Sequence, residues 1–538
     1  MKGVLQHSSM WVLVFFVCLV IGAVHHTFFF PRIFHADAAV MQILAETMWE
    51  EMAFLPKDFA FGNQLIFFRS SPFIALASGF GYSKVDSFVL GSVFSIGLWG
   101  VLLFQSLSSW HSSRRLGLLF TALALIPFGL WDADYLLGQQ SHLANAILCL
   151  SLVVQVRKYV LVSESSALYW ASFFLFLMTV EAPMRGFLVA VPVLCAGAIF
   201  LERRSFLRLG GFFVSILLMS YLINGVLVKE YPLHWDLFEK LTFKGVQAFF
   251  INFQRILFQD VLPGISSFES VAEARLGLKP ILVYSAGFVV MVSGLYLVVR
   301  NLLRLSLFLF NTWEGRTSEH SWNPEKDFIP LVGSLGVLFG LTAVAGLNPD
   351  SGRHFLWSTF LIKVWLIFSM YHLLSRFLKN SVKAGLISTA FCFLFSSWFA
   401  DFAKPGFEFN RRIYHERLFA DLDIFDVRTV LKERNLKRVF GGDFWSVMHF
   451  NTFVEGATAN PILVDLYGVI RPRYFTTRRS PFCEKGDVVY FLTANYWDQK
   501  IEESLRKNNG ELVLKRRKYS IWVGKPVWTL PASHSCAG

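Results

Sequence analysis

The chain has 538 residues, 54% of them hydrophobic and only 16% charged, with a mean hydropathy of +0.49, whereas soluble domains carry roughly 25% charged residues. Its 58 Phe and 16 Trp suit a lipid-facing surface and not a watery one, which excludes a soluble enzyme and points to a polytopic α-helical membrane protein. The net charge of +12 then reports basic loops held on one side of a bilayer, not a nucleic-acid partner.

A crossing needs about 20 mostly apolar residues. The first runs of this kind are Met10 to Phe30, Asp86 to Leu107, Leu116 to Leu130 and Leu136 to Val156. Ala167 to Val180, Gly186 to Leu201, Leu207 to Leu227 and Pro280 to Val299 follow. Phe328 to Leu347, Phe355 to Leu374 and Ala384 to Ala400 complete a set of about eleven transmembrane helices. The first run is too long for a signal-peptide core and no small-x-small site follows it, so it reads as an uncleaved span.

Alternate loops carry Arg114 and Arg115, Arg157 and Lys158, Arg203, Arg204 and Arg208, then Arg376, Lys379 and Lys383. The basic-inside rule puts these loops and the N-terminus in the cytoplasm. The stretch Leu65 to Tyr82 is apolar yet holds Arg69, Ser70, Ser71 and Pro72; as a span it would invert every later loop, so it reads as lying at, or re-entering, the outer interface. An odd number of spans leaves the C-terminus outside.

The division expected is a transmembrane domain over residues 1–401, with its first outer loop at 31–85, and a soluble extracytoplasmic α/β domain over 402–538. The tail holds 22 Lys and Arg against 15 Asp and Glu. Its pattern predicts a helix over Leu422 to Asn435, strands at Arg438 to Phe440, Ile462 to Asp465 and Val488 to Thr493, a helix over Gln499 to Lys507, and a strand pair within Glu511 to Val523. Of six cysteines, Cys18, Cys149, Cys195 and Cys392 fall in spans, while Cys483 and Cys536 lie in the tail, making them a disulfide candidate in an oxidising compartment.

Ionisable residues at membrane level are costly and informative, and here they gather at outer span ends. Asp37 follows the first span and opens a stretch patterned as an interfacial amphipathic helix, where it serves either as N-cap or as a reactive carboxylate. Asp132 and Asp134 sit in Trp131-Asp132-Ala133-Asp134-Tyr135, with His142 beyond; two carboxylates at i and i+2 can share a divalent cation or divide base and orienting roles, and solvated loop aspartates are the alternative. Glu181 and Arg185 flank another outer turn, as an ion pair or as substrate ligands, and Arg353 and His354 close Asn348-Pro349-Asp350-Ser351-Gly352. Arg185 and Arg353 can neutralise a phosphate.

This plan resembles the polytopic C-type (GT-C) membrane glycosyltransferases. The segment His35 to Gln64, with Leu55-Pro56-Lys57-Asp58 and Phe61-Gly62-Asn63, is similar to the first outer loop of bacterial members; Gln139-Gln140-Ser141-His142-Leu143-Ala144 is similar to the start of their fourth span. Glu181 to Pro192 resembles a segment of uncharacterised bacterial relatives.

The resemblance implies transfer of a sugar from a polyprenyl-phosphate-linked donor to a glycan, lipid or protein acceptor at the outer face of a bacterial inner membrane. Asp37 matches the first-loop catalytic acid, and Asp132 and Asp134 match the second-loop acidic pair. Glu181, Arg185, Arg353, His354 and His142 become substrate-binding candidates. No organic cofactor is implied, and a divalent cation is compatible but not required. Where oligosaccharyltransferases carry a Trp-Trp-Asp type signature in the tail, this chain has Gly441-Gly442-Asp443-Phe444-Trp445, which speaks against protein N-glycosylation. A lipid or polysaccharide transporter is the alternative, but neither midplane charges nor paired repeats were found in the sequence; a non-catalytic assembly protein is the third reading.

Overall fold

The computed structural model describes residues 2–62, 64–129, 131–233, 245–257, 278–313, 322–347, 356–403, 422–465, 467–493 and 495–530. Contacts divide the chain into two compact units. One comprises residues 1–22, 96–227 and 238–408; the other comprises residues 23–95, 228–237 and 409–538.

The helices, in chain order, begin with α1 (Lys2–Val24), α2 (Ala36–Glu51), α3 (Ser71–Gly79), α4 (Lys84–His111) and α5 (Arg114–Leu125). They continue with α6 (Leu143–Val162), α7 (Ser165–Glu181), α8 (Pro183–Phe200), α9 (Arg203–Glu230) and α10 (Val246–Ile256). Then come α11 (Leu278–Trp313), α12 (Pro324–Leu347), α13 (Leu356–Leu378), α14 (Ser381–Leu394) and α15 (Ser397–Ala403).

A helix stands at each of the eleven expected positions. Among the described residues, eight helices are long and apolar enough to cross a membrane: α1 extended to Phe29, α4, α6, α8, α9, and the apolar stretches of α11, α12 and α13. The chain is a multi-pass membrane protein. Helices α7 and α14 are apolar but shorter, and α5, at 12 residues, reaches only about 18 Å. Its end is set by Pro127, which disfavours helix at the preceding residue; Ile126 is extended, with ψ 120°. The span expected from Leu136 starts instead at Leu143, because Asp132–Gly138 forms a π-helical turn.

Local chemistry sets the other ends. Ser113 caps α5 by accepting from the Leu116 amide, and Asn380 caps α14 by accepting from the amides of Val382 and Lys383. In the first unit, α1 and α4 approach closely at Gly97 and Gly100, where an added Cβ would collide with Phe15 and Cys18, the small-residue packing of membrane helices. Arg157 of α6 donates through Nε and Nη2 to the Glu325 carbonyl of α12, at 3.1 and 2.9 Å.

The second unit joins the loop after the first span to the tail, so the loop that the sequence groups with the spans packs with the described residues of the tail. Its sheet holds β2 (Arg438–Gly441), β3 (Thr458–Val464), β4 (Ile470–Pro472), β6 (Val488–Thr493), β7 (Glu511–Lys515) and β8 (Tyr519–Gly524), in the order β4-β3-β2-β6-β8-β7. Strands β3, β2 and β6 are parallel and the rest antiparallel. Phe440, Ile462, Tyr490, Leu492 and Trp522 fill the core with Ile501 and Leu505 of a helix over Tyr496–Lys507. A second sheet pairs β1 (Phe59–Ala60) with β5 (Thr477–Arg478), antiparallel, so that first-loop and tail backbones hydrogen-bond directly.

The expected interfacial, one-sided helix is corrected here. Eleven of the 16 residues of α2 are buried, Gln42 and Thr47 among them, because the tail's short helices Phe444–Val447 and Phe450–Phe453 pack on it. Helix α3, the ordered core of the segment Leu65 to Tyr82, has nine residues and reaches about 14 Å, half a hydrocarbon core. It lies against α4 so tightly that a Cβ on Gly91 would strike the Ile74 backbone, and Phe73 meets Phe94 at 5.3 Å between ring centroids.

Candidate functional site

In the first unit the acidic pair divides. Asp132 is 2% exposed, and its Oδ2 lies 2.5 Å from Nζ of Lys363, itself 3% exposed, on α13. The same oxygen accepts from the Phe128 amide at 3.2 Å, and the ammonium lies 4.9 Å from the centre of the Phe128 ring. The recess beside the pair, lined by Leu125, Pro127, Leu136, Leu143 and Phe360, leaves no room for a water molecule, so the side chains close on the pair without a small-molecule cavity. Two buried charges that neutralise each other in an apolar setting tie the π-helical turn to α13.

Asp134 faces its own turn: Gln139 Nε2 donates to its Oδ1 at 3.2 Å and the Gln139 amide to its carbonyl at 2.8 Å. His142, 5% exposed, stands at the N-cap of α6 without a side-chain capping bond, and its ring meets Tyr135 edge-on at 5.8 Å. Glu181, 2% exposed, ends α7, and Arg185 lies in the first turn of α8, with Ala182 between the two helices. Asp134, Gln139 and His142 thus share one turn and Glu181 and Arg185 another, while Asp132 belongs to Lys363. Arg353 and His354 lie outside the described residues.

In the second unit the N-cap of α2 is His35, not Asp37: Nδ1 of His35 accepts from the Asp37 amide at 3.2 Å. The capping alternative for Asp37 is corrected accordingly. Asp37 sits in the first helical turn, half-buried, where the helix dipole favours its negative charge. The His35 ring lies 5.6 Å from the indole of Trp445.

Around this helix the loop and tail are clamped by charge. Arg478 donates to both carboxylate oxygens of Glu50 (3.0 and 2.5 Å) and through Nε to Asp58 (2.9 Å). Asp58 also accepts from the Ser480 amide and hydroxyl at 2.6 and 2.7 Å. Burial works against the charge on Arg478, but Glu50 and Asp58 outweigh it and hold the guanidinium more firmly protonated than usual. Lys84 bridges Glu46 (3.0 Å) and the Ala457 carbonyl (2.9 Å).

Cys483 is disulfide-bonded, while Cys18, Cys149, Cys195 and Cys392 are free thiols; Cys536 lies outside the described residues. Among the described residues no three His, Cys, Asp or Glu side chains gather as a metal ion would need.

Two features were missed in the sequence. Lys363 is a lone cation in an apolar run, and the rule that an intramembrane charge needs a partner marks it. The contact of Trp445 with His35 joins positions about 400 residues apart and leaves no local signal.

No protein-family model matches the chain, and no curated protein matches it. Among solved structures it is similar to ArnT from Cupriavidus metallidurans bound to undecaprenyl phosphate, at 12% identity over 95% of this chain and 98% of that one, with a TM-score of 0.42.

Proposed function

We propose that the protein is an integral membrane glycosyltransferase that moves a sugar from a polyprenyl-phosphate-linked donor to an acceptor at the outer face of the membrane. The observation that supports this reading is that His35 performs the capping for which Asp37 was the sequence-level candidate, while Asp37 sits in the first turn of the same helix. A half-buried carboxylate at a helix start, directly after the first span, suits a general base.

In the proposed step the acceptor oxygen attacks the anomeric carbon, and its proton passes to the Asp37 carboxylate. The bond between that carbon and the phosphate oxygen breaks, releasing polyprenyl phosphate with the bonding electron pair. Arg185 and Glu181, with Arg353 and His354, are assigned to the phosphate and sugar, because a guanidinium neutralises the departing phosphate best. Asp132 is reassigned from catalysis to structure on the strength of its buried partner Lys363. The orientation that the basic loops support has the N-terminus in the cytoplasm and the tail outside.

The test is release of polyprenyl phosphate from a panel of radiolabelled hexosyl and pentosyl polyprenyl phosphates by the purified protein, with envelope glycolipids as acceptors. Donor-specific turnover supports the reading. Release no faster than in protein-free bilayers with every donor would refute it.

A further inference from the structure

The tail contributes an aromatic side chain beside the Asp37 helix in a manner that the sheet's own packing does not require. After β2 the chain turns through Gly441, Gly442 and Asp443. A Cβ on Gly441 would strike the Phe491 carbonyl, and one on Gly442 would strike Asp498. Asp498, 1% exposed, accepts from the Gly442 amide at 2.9 Å and, through its other oxygen, from the Thr493 amide and hydroxyl at 2.6 and 2.7 Å. The ends of β2 and β6 are thereby locked together, and the crevice between them is filled by the protein's own carboxylate.

The Asp443 side chain then accepts from the Trp445 amide at 3.1 Å and starts the short helix that packs on α2. Phe444 points inward, 3% exposed, with the Arg473 guanidinium 5.2 Å from its ring centre, whereas Trp445 is 57% exposed. So a rigid turn holds a largely exposed indole against the ring of His35, the N-cap residue two positions before Asp37. Core packing does not account for that exposure.

We infer that Trp445 is the stacking platform of a saccharide subsite, positioning a sugar ring for the Asp37 carboxylate. The C–H face of a pyranose or furanose meets the negative face of an aromatic ring favourably, and a ring already fixed by its backbone loses little freedom on binding. This inference rests on the glycosyltransferase reading for the identity of its ligand, while its test reads binding and not turnover.

The experiment uses full-length protein in nanodiscs and saturation-transfer NMR. One arm uses methyl glycosides of glucose, galactose, mannose and arabinose as acceptor-like probes, and the other uses farnesyl-phosphate-linked glucose as a donor-like probe. At least one probe should bind to wild type. In Trp445→Ala its affinity should fall at least about tenfold, the loss expected when one aromatic contact of about 1.4 kcal/mol is removed. Trp445→Phe should recover part of it, with the melting temperature unchanged in both. The arm that responds identifies whether the sugar belongs to acceptor or donor. Equal binding by wild type and Trp445→Ala in both arms, or no binding by wild type, overturns the inference. If Asp37→Asn keeps full transfer while binding still depends on Trp445, the base assignment fails and the subsite stands.

Discussion

Lys363 and Asp132 form an ion pair of 2.5 Å with both side chains less than 5% exposed. Neither charge is affordable alone in an apolar setting, because the solvation each loses is returned chiefly by the other. Lys363→Met should therefore destabilise the protein by about 3–5 kcal/mol, read as a lowered melting temperature in detergent. The double variant Lys363→Met, Asp132→Leu should recover much of that loss. Equal damage from the single and double changes would mean that the charges do not act as a pair.

Much of the fold was legible because it rests on local regularities. Val488–Thr493 and the helix beginning at Leu422 stand where period and composition placed them, and spans announce themselves by length and hydropathy. Asp132 read as a catalytic candidate, with a solvated loop carboxylate as the alternative, because its partner is 231 residues away in the chain. Asp37 kept a capping alternative because Asp is a common capping residue, and a histidine two residues earlier gave no reason to prefer it. The first loop read as part of the membrane domain because the pairing of Phe59 with Arg478 is a long-range event that neither segment's pattern declares.

Arg478 forks between Glu50 and Asp58 beside the β1 and β5 strands, so the clamp between loop and tail is expected to depend on its planar shape. Arg478→Ala should cost about 1–3 kcal/mol, the range for charged hydrogen bonds, and Arg478→Lys should recover only part. Glu50→Gln should cost less than about 1 kcal/mol, since that carboxylate is half-exposed. Limited proteolysis within the first loop checks both, and the clamp has no role if cleavage is unchanged in Arg478→Ala.

Asp426 provides a pH dependence of known sign. Burial penalises its charge, but hydrogen bonds from Arg516 and Tyr519 and the Arg516 charge outweigh it and hold the carboxyl below its ordinary range. A carboxylate depressed by folding contributes stability that is whole above its unfolded value, near 3.9. That stability is lost as pH falls through the folded value. Asp426→Asn should be less stable than wild type at neutral pH, with the gap closing below about pH 4. Calorimetric melts across that range test it, and a gap of constant size would show that the carboxylate's charge is not responsible.

Cys483 is disulfide-bonded, and Cys536 is the partner that the sequence proposes. A non-reduced peptide map should recover the two in one linked fragment. Closing a loop of roughly 50 residues contributes about 2–4 kcal/mol, so reduction should lower the melting temperature of the wild type and leave Cys483→Ser unaffected. A linked peptide joining Cys483 to any other cysteine would overturn the pairing.

Asp37 carries the functional reading, and the cap assignment sharpens its test. Because His35 accepts from the Asp37 amide, replacing the Asp37 side chain leaves the capping bond in place. Asp37→Asn should then keep the cap and lose the interaction of its charge with the helix dipole, about 0.3–1 kcal/mol. If the carboxylate takes the acceptor proton, the same change should lower transfer by roughly 100- to 10,000-fold. Asp37→Glu keeps the acidity but moves the oxygens by a methylene, so it should retain intermediate activity with near-native stability. His35→Ala makes the opposite comparison: it removes the cap, at about 0.5–2 kcal/mol, while keeping the base, so its melting temperature should fall further than that of Asp37→Asn and its transfer much less. Measured side by side in purified protein, the two variants separate chemistry from scaffold. Transfer by Asp37→Asn at wild-type rate would remove Asp37 from the reaction.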